Sequence, residues 1–243
     1  MNDLQRPFHP ARQTTYLMHM QGIELAAPGT LSIPTPSLTS GAGGIGGFYS
    51  DEDWARAIRH GVGQDGRALF ILMLSNTFHY LSDEDLGALI AYLKSVPPVD
   101  NELPERRIEP LGRMMMATGI FPPPPAEQID HTGPHPAAPE PGVTVAYGHY
   151  LSRTCTECHG PNLNGAPFSL PGQEVLTPNL TPGGPLAAWS DQDFFTTMHT
   201  GLASGGRHLD EQMPWKFYGQ MTDEELRAVW LYLQSLPAME QAE

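Results

Sequence analysis

Residues 155–160 read Cys-Thr-Glu-Cys-His-Gly. Two thiols separated by two residues and followed directly by an imidazole form the C-x-x-C-H arrangement that attaches a c-type haem. At the end of a helix, Cys155 and Cys158 can each add across one haem vinyl group, giving two thioethers. His159 is then carried under the macrocycle, where a ring nitrogen becomes the proximal iron ligand. Gly160 lets the backbone leave the crowded haem edge. Other chemistry fits less well. Two thiols and one histidine fall short of a four-ligand zinc site, and a thioredoxin-like dithiol would require a βαβ context that the sequence does not show.

A sixth iron ligand must approach the opposite face of the ring from a later loop. Met213, in Gln-Met-Pro-Trp, is placed for this: it precedes a capped helix, and Pro214 stiffens its loop. Most of the 11 methionines fill gaps in cores, so position and not residue type selects Met213. The rivals are His199, inside a predicted helix, and His208, in a Gly-rich turn. Either would give a bis-histidine iron of lower potential than a His/Met pair.

The elements that must position these residues occur twice. SDEDWARAI at 50–58 is answered by SDQDFFTTM at 190–198, and SDEDLGALIAYLKSVP at 82–97 by TDEELRAVWLYLQSLP at 222–237. The spacing is 140 residues in both cases, and it also relates Gly61 to Gly201 and Met73 to Met213. TPSLT at 35–39 and TPNLT at 177–181 are offset by 142. Leu226, Val229, Trp230 and Leu233, like Leu86, Leu89, Ile90 and Leu93, recur at i, i+3, i+4, i+7, one face of a helix. Thr222 with Glu225 and Ser82 with Asp85 read as N-caps, and Pro97 and Pro237 as stops. Shorter helices are expected at 50–60 and 190–199. No stretch alternates as a strand, so the expected class is all-α. Two tandem helical domains, 1–105 and 142–243, are joined by a Pro-rich linker or strap at 106–141, where proline density should prevent helix and sheet ladders.

The 243 residues carry a formal charge of −14, divided evenly: 9 basic and 16 acidic side chains in 1–141, 4 and 11 in 142–243. An acidic balance at both ends excludes a phosphate-backbone footprint, so nucleic acid is not a partner. No run of about 18 apolar residues occurs, so no integral membrane segment is expected. GAGGIGG at 41–47 lacks the Lys and Ser/Thr of a phosphate loop. Asp51, Asp53, Asp191 and Asp193 open helices, where carboxylates complement the dipole.

GHYL at 148–151 before CTECHG, then TPNLT, GLASGGRHLDEQMPW and DEELRAVWLYLQSLP, together make residues 142–243 resemble a class I cytochrome c domain. Tandem cytochrome c domains of this kind are similar to those in the cytochrome subunits of bacterial alcohol and sugar dehydrogenases. The resemblance implies a helical fold around one covalent haem c and its iron, with helices crossing near Gly148 and Leu231. It implies thioethers at Cys155 and Cys158, and His159 and Met213 as axial ligands. Pro178 and Asn179 match the loop that supports the proximal side, a Pro carbonyl there fixing the His159 tautomer. It implies electron transfer, not catalysis by this chain, in a periplasmic or other extracytoplasmic compartment. Redox partner proteins would be a dehydrogenase or a terminal oxidase. Alternatively, the chain is the cytochrome subunit of a larger membrane-associated dehydrogenase complex, with the first unit as assembly surface.

The first unit departs from the pattern. Setting Gly22 against Gly160 puts Leu17, Met20 and Gln21 where Cys155, Cys158 and His159 stand, and residues 1–141 contain no cysteine. Residues 1–13 also show no apolar stretch of a secretory leader. Two explanations compete. Unit one is a degenerate copy without haem, or a wrong start codon or frameshift has removed a leader and a first C-x-x-C-H together.

Overall fold

The computed structural model describes residues 22–70, 72–120, 123–170 and 173–242. The chain divides into two compact units, Met1–Pro136 and Ala137–Glu243.

In the first unit, a hairpin of β1 (Ile23–Ala27) and β2 (Leu31–Thr35) precedes the helices α1 (Asp51–His60), α2 (Ser75–Phe78) and α3 (Asp83–Ser95). Ser50 caps α1 in a reciprocal box with Asp53, and Gly61 ends it at φ 65°, the left-handed conformation that costs glycine least. α3 starts at Ser82 and stops at Val96, which is extended ahead of Pro97 because the proline ring disfavours a helical residue before it. Trp54, Ile58, Leu86, Ile90 and Leu93 form the core.

Residues 106–136 overturn the expectation of an extended linker. Arg107–Ile108 form β3, which pairs with Ser32 and Leu31 of β2. Pro110–Ala117 form α4, and Pro125–Glu127 a 3-10 turn. The proline argument fails because Pro110 and Pro125 open their helical turns, where the missing N–H would have had no partner anyway. Ile129 is buried, and His131 and His135 reach His60 and Arg59. The segment folds back onto the first unit.

The second unit starts with α5 (Val145–Ser152), capped by Thr144, which runs through a 3-10 turn (Arg153–Cys155) into α6 (Thr156–His159). β4 (Pro167–Leu170) and β5 (Gln173–Leu176) pair antiparallel. Then come α7 (Asp191–Thr200), α8 (Trp215–Tyr218) and α9 (Asp223–Ser235). Ser190 and Thr222 each make a full capping box, with Asp193 and Glu225 respectively. Leu163, Leu186, Phe194, Phe195, Leu226, Val229 and Leu233 form the core.

α5 crosses α9 at Gly148, where an added Cβ would run into the Ala228 carbonyl and meet Tyr232 Cβ at 2.9 Å. The other side of the crossing is therefore Ala228 and Tyr232, four residues apart on one helix face. Leu231, near which the crossing was expected, lies between these two in sequence and is 40% exposed.

Both units are thus mainly helical but not all-α. The strands escaped notice because each is five residues or fewer, too short to set a period, and β2 contains Pro34. In the structure, Pro34 sits beyond the stretch of β2 that pairs with β3, so its missing N–H disturbs no ladder there.

Candidate haem-binding site

The Cys-x-x-Cys-His segment is delivered by α5, whose far end is locked by Ser152 Oγ donating to Gly148 O at 2.6 Å. Cys155 packs against the core, and burial pushes its thiol up to about 11, with Cys158 nearby adding to the effect. Burial also raises the Cys158 thiol, helped by Glu157. Reactive redox dithiols require a depressed thiol, so these shifts run against a thioredoxin-like use.

His159 is buried, and Nδ1 lies 2.8 Å from the Pro178 carbonyl oxygen. A carbonyl can only accept, so Nδ1 carries the proton and the lone pair is on Nε2. Burial lowers the imidazole's affinity for a second proton, outweighing the Pro178 bond, which acts the other way. The neutral ring is the ligating form.

Beyond the motif the chain turns sharply. Leu163 adopts φ 57°, unusual for a branched side chain. It is held there by burial, by its N–H donating to Gly160 O at 2.9 Å, and by its carbonyl accepting Leu180 N–H at 2.7 Å. Thr177 Oγ1 donates to Cys158 O at 2.7 Å and to Ala166 O at 3.0 Å. Asn179 is buried, but its side chain serves the loop. Nδ2 donates to Met239 O at 2.7 Å, and Oδ1 accepts from Thr181 N and Oγ1.

Met213 is half-buried between two tight turns, its N–H donating to Asp210 O at 3.0 Å and its carbonyl accepting Trp215 N–H at 2.7 Å. α8 follows at once. Burial, with the influence of Cys155, Cys158 and Glu157, pushes the Tyr218 phenol up to about 12, which puts this helix within electrostatic reach of the motif. The rivals are otherwise engaged: His199 has Nδ1 2.7 Å from Gly219 O and Nε2 3.2 Å from Asp223 Oδ1, and His208 is exposed. The donor set, two protonated thiols, an imidazole with Nε2 free to ligate and a thioether in a fixed loop, fits a covalently tethered haem.

Residues 145–237 match the family model described as Cytochrome c. Residues 145–237 are a cytochrome c domain. Proteins of this family hold haem c covalently. Over a span covering 84% of this chain and 44% of the relative, the sequence is 30% identical to the fructose dehydrogenase cytochrome subunit of Gluconobacter japonicus. It is 28% identical to the alcohol dehydrogenase (quinone) cytochrome c subunit of Gluconacetobacter polyoxogenes, covering 89% and 50% of the two chains. For the gluconate 2-dehydrogenase cytochrome c subunit of Pantoea cypripedii the identity is 29%, with 89% and 54% covered. This chain therefore spans about half the length of these relatives. The aligned share exceeds the cytochrome c domain, so the similarity runs into the first unit.

Leu17, Met20 and Gln21 lie outside the described residues. The register that singled them out is nonetheless corrected. Ile23 donates its N–H to Thr35 Oγ1 at 2.9 Å, and that hydroxyl donates to Ile23 O at 3.1 Å. Ala166 makes the same pair with Thr177, both at 3.0 Å. Gly22 (φ 80°) and Gly165 (φ 87°) precede these residues, and each would drive an added Cβ toward the threonine carbonyl. Gly22 thus answers Gly165 and not Gly160. Thr177 was singled out from sequence only as part of TPNLT and the 239–242 segment not at all, although the amides Asn101 and Gln241 keep the 140-residue spacing past the last proline stop.

Proposed function

We propose that residues 137–243 carry one haem c and transfer single electrons. Cys155 and Cys158 tether it by thioethers, and His159 Nε2 and Met213 Sδ are the axial ligands. The observation that carries this reading is the His159 Nδ1–H···O=C Pro178 hydrogen bond at 2.8 Å beside two protonated thiols. When bound, the group supplies a one-electron iron couple. The chain's own part is to hold it. Thr177 anchors the Cys158 carbonyl, Pro178 sets the tautomer of His159, and the turns on either side of Met213 fix its backbone. Two axial protein ligands leave no open position for a substrate, which favours a carrier over a catalyst.

The names of the relatives support a place in a dehydrogenase complex as its cytochrome subunit. There the first unit, cytochrome c-like in its turns and helices but without C-x-x-C-H, serves as an assembly surface. Haem c is attached outside the cytoplasm, so the location is extracytoplasmic; among the described residues no helix is long and apolar enough to cross a membrane. The net charge of −14 favours steering toward a basic patch on the redox partner.

The test is a pyridine haemochrome determination on protein exported with haem-attachment machinery. One covalent haem per chain is expected. Zero haem in correctly exported protein would overturn the reading.

A further inference from the structure

After α9 the chain does not leave the domain. Residues 239–242 run back along the loop that faces His159. Met239 N–H donates to Thr181 Oγ1 at 3.2 Å and its carbonyl accepts Asn179 Nδ2 at 2.7 Å. Glu240 O accepts Asn164 Nδ2 at 3.1 Å, and Ala242 N–H donates to Asn164 O at 3.0 Å. Two glycines clear the way: an added Cβ on Gly183 would strike the Met239 carbonyl, and one on Gly165 would strike Gln241 Nε2.

Gln241 occupies the decisive place. Its Nε2 donates to Thr177 O at 3.0 Å, and its Oε1 accepts the Asn179 N–H at 3.0 Å. That N–H belongs to the same peptide group as the Pro178 carbonyl, which accepts the His159 Nδ1–H. Accepting the N–H of an amide pushes electron density onto its oxygen, because hydrogen bonds in series polarise one another. The bond also fixes the plane in which that oxygen lies. Building on the haem assignment above, we propose that Gln241 is a positioning residue for the proximal imidazole. It grips the 178–179 peptide from behind, and so strengthens and aims the acceptor that orients His159. An imidazole with a stronger Nδ1–H bond is a more basic ligand and holds the oxidised iron better, lowering the potential.

Gln241 is otherwise solvent-exposed, so Gln241→Ala opens no core cavity. In this variant the covalent haem and the methionine–iron band are expected to persist. The midpoint potential should rise, and the His159 Nδ1–H should exchange with solvent about thirtyfold faster, the factor for losing two ordinary hydrogen bonds. Gly183→Ala, which displaces Met239 and with it the segment, should shift both in the same direction. Leu233→Val, a core change of comparable thermal cost, should leave the potential unmoved. An unchanged potential in Gln241→Ala with haem and band intact overturns the proposal alone, as does an equal shift in Leu233→Val. Unaltered protein without haem overturns the underlying assignment as well.

Discussion

The two units repeat each other bond for bond in places where only one contains the attachment motif. Met73 and Met213 occupy the same double turn, with Met73 N–H to Phe70 O at 2.9 Å and Ser75 N–H to Met73 O at 2.8 Å. Leu69 N–H closes on Gly61 O and Leu209 N–H on Gly201 O, both at 2.7 Å. The strut from the Ser50- or Ser190-capped helix to the start of the last is Arg59 in one unit, bonded to Asp83 and to Leu81 O at 2.6 Å each. In the other it is His199, bonded to Asp223 and Gly219 O. Even the return segment recurs, with Val99 on Thr39 and Asn101 Nδ2 on Gly22 O. Caps, αL glycines and proline stops are local, and they build the methionine loop whether or not an imidazole stands opposite. The methionine loop by itself therefore does not mark an iron site. Ser75, buried where the other unit has Trp215, shows the first unit packing its loop tip to its own ends.

The largest test of this contrast is a pair of substitutions. Met213→Leu should abolish the weak far-red methionine–iron band and lower the midpoint potential, whereas Met73→Leu should change neither. A spectrum altered by Met73→Leu would make the first unit a haem site after all. A smaller effect separates the helices. Gly148→Ala should destabilise the second unit by about 1–3 kcal/mol, because the new Cβ collides with backbone. Gly87→Ala, in α3 with open space around it, should stabilise the first unit by about 0.5–1 kcal/mol. Thermal melts of the full chain resolve both. The smallest concerns pH. Burial, then His131, His135, Arg59 and His79, lower the His60 pKa from 6.5. The unfolded chain consequently binds the proton more readily, and this group's contribution to the first unit declines as pH falls below about 6.5. His60→Gln should flatten that acid-side slope, read by denaturant midpoints between pH 7 and 5.

Much of this architecture was legible because its signals are short-range. Ser50, Ser82, Ser190 and Thr222 announce helix starts that the structure reproduces, and Val96 and Leu236 turn extended ahead of the two prolines. What failed was long-range or context-dependent. The hairpins carry too few residues to set a period. Pro110 looked like a breaker and is a helix start. The crossing, placed near Leu231, is made by Ala228 and Tyr232, three residues before it and one after. At the site, the motif identified its own three residues from chemistry alone. Pro178 followed only from resemblance, and Gln241 not at all, because nothing in a lone amide tells which peptide it will grip.

The late position of those closing contacts has a temporal consequence. A chain emerges from its N-terminal side first, so Cys155, Cys158 and His159 are synthesised well before α9 covers α5 and before residues 239–242 reach the proximal loop. Until then the two sulfurs belong to an open peptide, accessible from every direction. Closure of the fold around this motif therefore waits on the last residues of the chain to be made.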